Sequence, residues 1–177
     1  MPVINRQVLE EFIRTGENAL NTTEQGRALE EFICSLFALV PGITITHRNA
    51  LNVFDTEEID VALWNDCDDA GLSFLPNIIL VECKNWSVRI GSEEVNWFDT
   101  KLRHRGLDFG ILISPKGITG NQDNLSAAHS IISKALAERR RLVVLTTREI
   151  LELGDTDDLS HLIKKKLCNL AVNGALV

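Results

Sequence analysis

A mixed β-sheet held between helices, an α/β fold, is what this 177-residue sequence predicts. Three observations carry the prediction. Behind an N-terminal helix, periodic segments follow in the order helix, three strands, helix, strand, helix, strand, helix. The run Ile78-Ile79-Leu80-Val81 is apolar at every position, as in a central strand covered on both faces. The stretch from Asn65 to Pro76 is polar and contains glycine, which suits a loop between antiparallel strands.

The first helix is expected over residues 3–20, with Val3, Leu9, Phe12, Ile13 and Leu20 as a sparse apolar stripe. Thr22 and Gln25 have capping-box spacing for a second helix. Its stripe is Leu29, Phe32, Ile33, Leu36, Phe37 and Val40, and Pro41-Gly42 ends it. Strands are expected over 43–47, 57–64 and 77–84. Ser92 is the expected cap of a helix reaching about Arg105, with Val95, Phe98 and Leu102 facing the core. A strand over 109–114, a helix over 121–139 and a strand over 142–146 come next. A short helix capped through Thr146 and Glu149, then a helix over 157–172, complete the chain. With no repeat or linker, residues 1–177 are expected to form one domain.

Hydrophobic residues make up 45% and charged residues 24%, a globular composition. Apolar runs fall far short of the roughly 20 residues that span a bilayer, so no membrane partner is expected. The N-terminus lacks the basic-then-apolar order of a secretory signal. Cys34, Cys67, Cys83 and Cys168 form no CxxC, which predicts reduced thiols in a cytoplasmic protein and no zinc site. A net charge of −7 argues against tight non-specific polyanion binding. The basic clusters around Lys101–Arg105, Arg139–Arg141 and Lys164–Lys166 read first as solvated helix surface.

Chemistry concentrates on two strands. In the third strand Leu80, Glu82 and Lys84 point one way, while Ile79, Val81 and Cys83 point the other. In the second, Asp60 shares a face with Glu58 and Ala62, and if the two strands pair as a hairpin Asp60 can lie across from Glu82. Two carboxylates about 4 Å apart repel by roughly 4 kcal/mol at an effective dielectric near 20, so a proton or a divalent cation must relieve them. Hard oxygen ligands favour Mg²⁺, with Mn²⁺ as the alternative. A protonated Lys84 cannot ligate; it can orient a water or stabilise charge on a phosphate. On the helix before the strands, Glu30 lies at the shoulder of the apolar stripe, within reach of a metal or its water, whereas Glu31 points to solvent. A plain Glu82–Lys84 ion pair, worth about 0.2–1 kcal/mol, is the competing account.

The order Glu30 in GRALEEF, Asp60 in EIDVALW and Glu82-Cys83-Lys84 in VECKNWS resembles the PD-(D/E)XK nuclease superfamily, specifically its Mrr-type restriction-endonuclease-like branch. Ile59 stands where the superfamily name has proline. The resemblance covers residues of about 23–146 and implies an αβββαβ core, with both terminal helices as additions. It implies Glu30, Asp60, Glu82 and Lys84 as catalytic residues. Asp60, Glu82 and the Cys83 main-chain carbonyl would hold the metal. The implied substrate is DNA, in restriction, defence or repair. In such a fold Glu94, Trp97, Lys101 and Arg105 flank the site, and Lys101 and Arg105 are candidates to hold phosphates. Trp86 reads as packing or base stacking, and the loop with Gly117 and Gly120 as a connection whose backbone amides are a secondary candidate for nucleic-acid contact. A recruiting protein or a second copy of the chain is a candidate partner. The alternative function is a non-catalytic nucleic-acid-binding or assembly module on a nuclease-like core.

Overall fold

The computed structural model describes residues 1–52, 57–84, 88–119 and 127–174. Helices α1 (Arg6–Glu17) and α2 (Thr22–Phe37) lead into strands β1 (Ile43–Leu51), β2 (Glu58–Asn65) and β3 (Ile78–Cys83). Then come α3 (Ser92–His104), β4 (Phe109–Ile113), α4 (Ala127–Ala137), β5 (Arg141–Leu145), α5 (Thr147–Leu151) and α6 (Thr156–Asn173). The strands form one sheet in sequence order, antiparallel from β1 to β3 and parallel from β3 to β5. This is the expected α/β architecture, an αβββαβ core with helices added at both ends.

Alternation along the strands builds two apolar layers. Val61, Leu63, Ile79, Val81, Ile111, Ile113, Val143 and Leu145 pack with Leu29, Phe32, Ile33, Leu36 and Phe37 of α2. On the other face Leu80, Leu112, Leu142 and Val144 meet Val95, Phe98 and Leu102 of α3 and Ala128, Ile132 and Ala135 of α4. The core stripes read from helical spacing in α2 and α3 are thus the ones buried.

Gly110 lets α3 lie close to the sheet. A Cβ there would meet Phe98 Cζ at 2.6 Å and Leu102 Cδ1 at 2.8 Å. Gly110→Ala is expected to cost about 1–3 kcal/mol through overpacking, read as a lower urea midpoint at unchanged slope. A second tie fastens α3 to the segment before β5. Arg140 donates to both carboxylate oxygens of Asp99, at 2.7 and 3.2 Å, and both residues are buried. Arg140 is therefore not the solvated surface residue that the Arg139–Arg141 cluster suggested. Asp99→Ala should destabilise by about 3 kcal/mol, the low end for a broken buried pair, because Glu138 also holds Arg140 at 2.6 Å. Chemical denaturation of the variant measures it.

Boundaries moved where a different side chain won the cap. Asn21, not Thr22, caps α2: its Oδ1 accepts the Glu24 N–H at 2.9 Å, and Glu24 reaches back to the Leu20 N–H. Ser92 is the first residue of α3 rather than its cap; Gly91 holds that place, and its N–H donates to Glu94 Oε2 at 3.0 Å. Asn5 caps α1, so Val3 lies outside the helix, bridged to Asp155. Strand β1 runs four residues past the expected end, to Leu51, with a bulge between Ile45 and His47. The Thr146–Glu149 capping box is present as read. Trp86, Gly120 and the expected start of the helix at residue 121 lie outside the described residues.

Candidate active site

The site lies where β2 and β3 part. Their register runs from Trp64↔Ile78 to Val61↔Val81, so the next pair in line is Asp60 with Glu82, and there the ladder ends. Each strand stays paired to its outer neighbour beyond that point. Strand β2 continues on β1 to Leu51↔Glu58, and β3 continues on β4 to Cys83↔Ile113. A fork results, and it frees the Cys83 N–H, which donates to Asp60 Oδ2 at 2.7 Å. A side-chain carboxylate has taken the place of a main-chain acceptor, which pins Asp60 in the fork.

Glu82 is 2% exposed and faces the α3 side of the sheet with Leu80. Two lysines hold it. Lys84 Nζ lies 2.7 Å from Oε1. Lys101, from α3, donates to Oε1 and Oε2, each at 2.8 Å, and to the Glu58 carbonyl oxygen at 2.7 Å. An ammonium has three protons to donate, so Lys101 is saturated inside the protein.

The electrostatics follow from this crowding. Burial, then the neighbouring Glu82 carboxylate, pushes Asp60 up to about 7, against the opposing pull of the Cys83 N–H, Lys101 and Lys84. For Lys84 burial pulls downward, but Glu82, with Asp60 and Glu94, outweighs it and holds the ammonium above its ordinary value. Burial pushes the Cys83 thiol well up, with Asp60, Glu30 and Glu82 adding to it. That sulfur is therefore not a nucleophile at neutral pH.

The sequence-predicted residues divide into three groups. Asp60, Glu82 and Lys84 come together in the fork. Glu30 is buried, as its place on the helix shoulder required, but it approaches from the α2 face, where Cys83 also packs. Its Oε2 accepts from Asn49 Nδ2 at 2.7 Å, and Asn49 adopts φ +47° to present that amide. Glu31 pairs with Arg48 at the surface, as expected of an outward acid. Lys101 and Arg105, read as candidate phosphate holders, both have partners within the protein. Lys101 is spent on Glu82 and Glu58, and Arg105 Nη1 donates to Glu57 Oε2 at 2.6 Å. Sequence reasoning missed Lys101 as a partner of Glu82. The available signal was its position beside Leu102 and three residues after Phe98, the same shoulder placement that singled out Glu30.

The donor set suits a small hard cation. Among the described residues no three His, Cys, Asp or Glu side chains converge on one point. An ion would rest on two carboxylates, main-chain oxygen and water, the environment that Mg²⁺ takes and zinc does not. Asp60 supports the fit, since a carboxylate driven toward protonation by burial and a second carboxylate is relieved by a cation.

The profile of the Mrr_cat family, described as restriction endonuclease, matches residues 22–152. No curated protein matches the chain. Among solved structures, the DNA modification-dependent restriction endonuclease AspBHI is similar at 12% identity and a TM-score of 0.41, over 90% of this chain and 39% of that one. The crystal structure of AF1548, a protein of unknown function, is similar at 16% identity and a TM-score of 0.33, over 74% of this chain and 66% of that one. This chain thus spans well under half of the AspBHI chain and just under two thirds of AF1548. The family match runs from the start of α2 through α5 and takes in every strand and the fork: the chain belongs to the Mrr_cat family of restriction endonucleases.

Proposed function

We propose that this chain is a Mg²⁺-dependent endonuclease that hydrolyses phosphodiester bonds in DNA, with Mn²⁺ as a substitute ion. The observation that carries the reading is the fork itself. Asp60 is pinned by the Cys83 N–H beside a buried Glu82, with Lys84 2.7 Å from Glu82 at the open end of β3. Asp60, Glu82 and the Cys83 carbonyl are the groups that would hold the ion. When bound, the ion supplies positive charge to the phosphoryl group and makes its water a stronger nucleophile.

The protein's own groups do the rest. Lys84 is the more exposed of the two lysines, with its side chain 29% accessible against 11% for Lys101. It is therefore the one placed to orient a water or meet a phosphate oxygen. Lys101 fixes Glu82 by donating to both of its carboxylate oxygens. Glu30, held by Asn49, adds negative charge on the Cys83 side, where it would assist through water.

The direct test incubates wild type and Asp60→Asn with supercoiled and linear DNA, each with Mg²⁺ and with chelator. The expected result is cleavage by wild type with Mg²⁺ alone. Cleavage that survives chelation, or is undiminished in Asp60→Asn, would show the assignment to be wrong. A second reading has its own observation: Glu82 is already matched by two lysines, which suits a nuclease-like core used only for binding or assembly. Mg²⁺ titration separates the two, since that reading predicts no metal-dependent rise in Tm. Activity that appears only with a co-purified protein or a second copy of the chain would assign the partner role proposed from sequence. No helix among the described residues is long and apolar enough to cross a membrane. The four free cysteines accord with a cytoplasmic setting.

A further inference from the structure

We infer that Lys101 is a positioning residue that leaves Glu82 a single oxygen site for a divalent cation, and thereby biases the fork toward Mg²⁺ over Ca²⁺. The inference rests on the metal-dependent reading above and deepens it by assigning the choice of ion to a residue outside the ExK motif.

The lone pairs of Glu82 are limited in number. An ionised carboxylate offers about four acceptor sites, two on each oxygen. Lys101 Nζ sits across the group, 2.8 Å from Oε1 and 2.8 Å from Oε2, and so takes one site on each. Lys84, 2.7 Å from Oε1, takes the second site on that oxygen. Among the described residues, one site on Oε2 is left. A cation entering the fork therefore meets Glu82 through one oxygen.

Lys101 has little freedom to make way. Its residue is 8% exposed, and its third proton goes to the Glu58 carbonyl oxygen at 2.7 Å. Phe98 and Leu102, buried on either side of it along α3, fix the helix from which it reaches. Releasing Glu82 would leave both a buried ammonium and a buried carboxylate short of partners, an expensive change in a site so enclosed.

The two ions respond differently to one offered oxygen. Mg²⁺ holds near-octahedral geometry, keeps several waters and is satisfied by one or two carboxylates. Ca²⁺ gathers six to eight oxygens at longer range and gains from carboxylates that bind through both. Removing Lys101 frees a site on each oxygen of Glu82, so a two-oxygen grip becomes available even with Lys84 in place.

The test measures ion affinity on the purified full chain without DNA, by calorimetric titration of Mg²⁺ and of Ca²⁺ into wild type and Lys101→Met. The expected result is that the ratio of Ca²⁺ to Mg²⁺ affinity rises at least fivefold in the variant. A smaller change, with both ions still binding wild type, overturns the inference and leaves the nuclease reading standing. No binding of either ion to wild type sinks both. If Lys101→Met does not fold, Lys101→Gln serves, since its shorter, uncharged amide has two N–H donors where the ammonium has three, and the ratio should shift in the same direction. A crystal structure of wild type with Ca²⁺ decides the matter without any variant. Glu82 ligating through Oε2 alone supports the inference, and Glu82 ligating through both oxygens overturns it.

Discussion

Asp60→Asn is expected to abolish Mg²⁺-dependent cleavage and, at pH 8 without metal, to make the protein more stable than wild type. The two effects share one cause. Burial and Glu82 raise Asp60 from 3.8 to about 7, so the folded protein holds a proton between those values that the unfolded chain has released. Stability rises with pH only where the unfolded state binds more protons; here the folded state does, so wild-type apoprotein loses stability as pH climbs from about 4 to about 7. The upper bound is about 4 kcal/mol at roughly 1.4 kcal/mol per unit, reached above the folded value. Asn cannot titrate, yet its carbonyl can still accept the Cys83 N–H, so the variant should be flat through that window. The curves should meet near pH 4, separate between about pH 4 and pH 7, and run parallel above that.

Metal reverses the order. An ion competes with the proton on Asp60, so Mg²⁺ should stabilise wild type progressively more as pH rises through 7 and leave Asp60→Asn unchanged. Thermal melts at pH 4, 6 and 8, with and without Mg²⁺, read both effects. Equal apoprotein melting temperatures at pH 8 would mean that Asp60 is not the strained group in the fork.

Removing the Lys84 ammonium should have the second large effect, on rate rather than stability. In Lys84→Ala, Glu82 keeps Lys101 across both oxygens, so its buried charge remains matched and the fold persists. Cleavage should fall by at least about 10²-fold, the loss typical of deleting one preorganised electrostatic group aimed at developing charge. The comparison with Lys101 makes the test specific. Lys84 emerges from the end of a strand with its side chain 29% accessible, whereas Lys101 is enclosed. Single-turnover cleavage beside a melting curve reads the result. A variant that cuts at the wild-type rate would remove Lys84 from the chemistry, and one that unfolds would make it structural.

Much of this molecule was legible in the residue order because local physics decides it. Helical spacing in α2 and α3, the apolar run of β3 and the polar loop before it each carry their own signal, so layers, the order of elements along the chain and core stripes could be read directly. The same is true of the faces that carry Asp60 and Glu82, which strand parity assigns, while the register that sets them opposite each other came from the structure. Cap positions slipped by one residue at Asn21 and Gly91, where neighbouring groups compete for the same free amides.

The sequence by itself determined which residues carry the charge and on which strand each stands. Only the tertiary structure decided how that charge is balanced. Lys101 lies 19 residues from Glu82 along the chain, and its shoulder position on α3 marks it for burial without naming its partner. It becomes the partner of Glu82 because Gly110 lets α3 settle onto β4 and because β2 and β3 part at Asp60. Periodicity reports which way a side chain points. The depth of its burial, and the group waiting there, depend on elements that meet only when the sheet and its helices close.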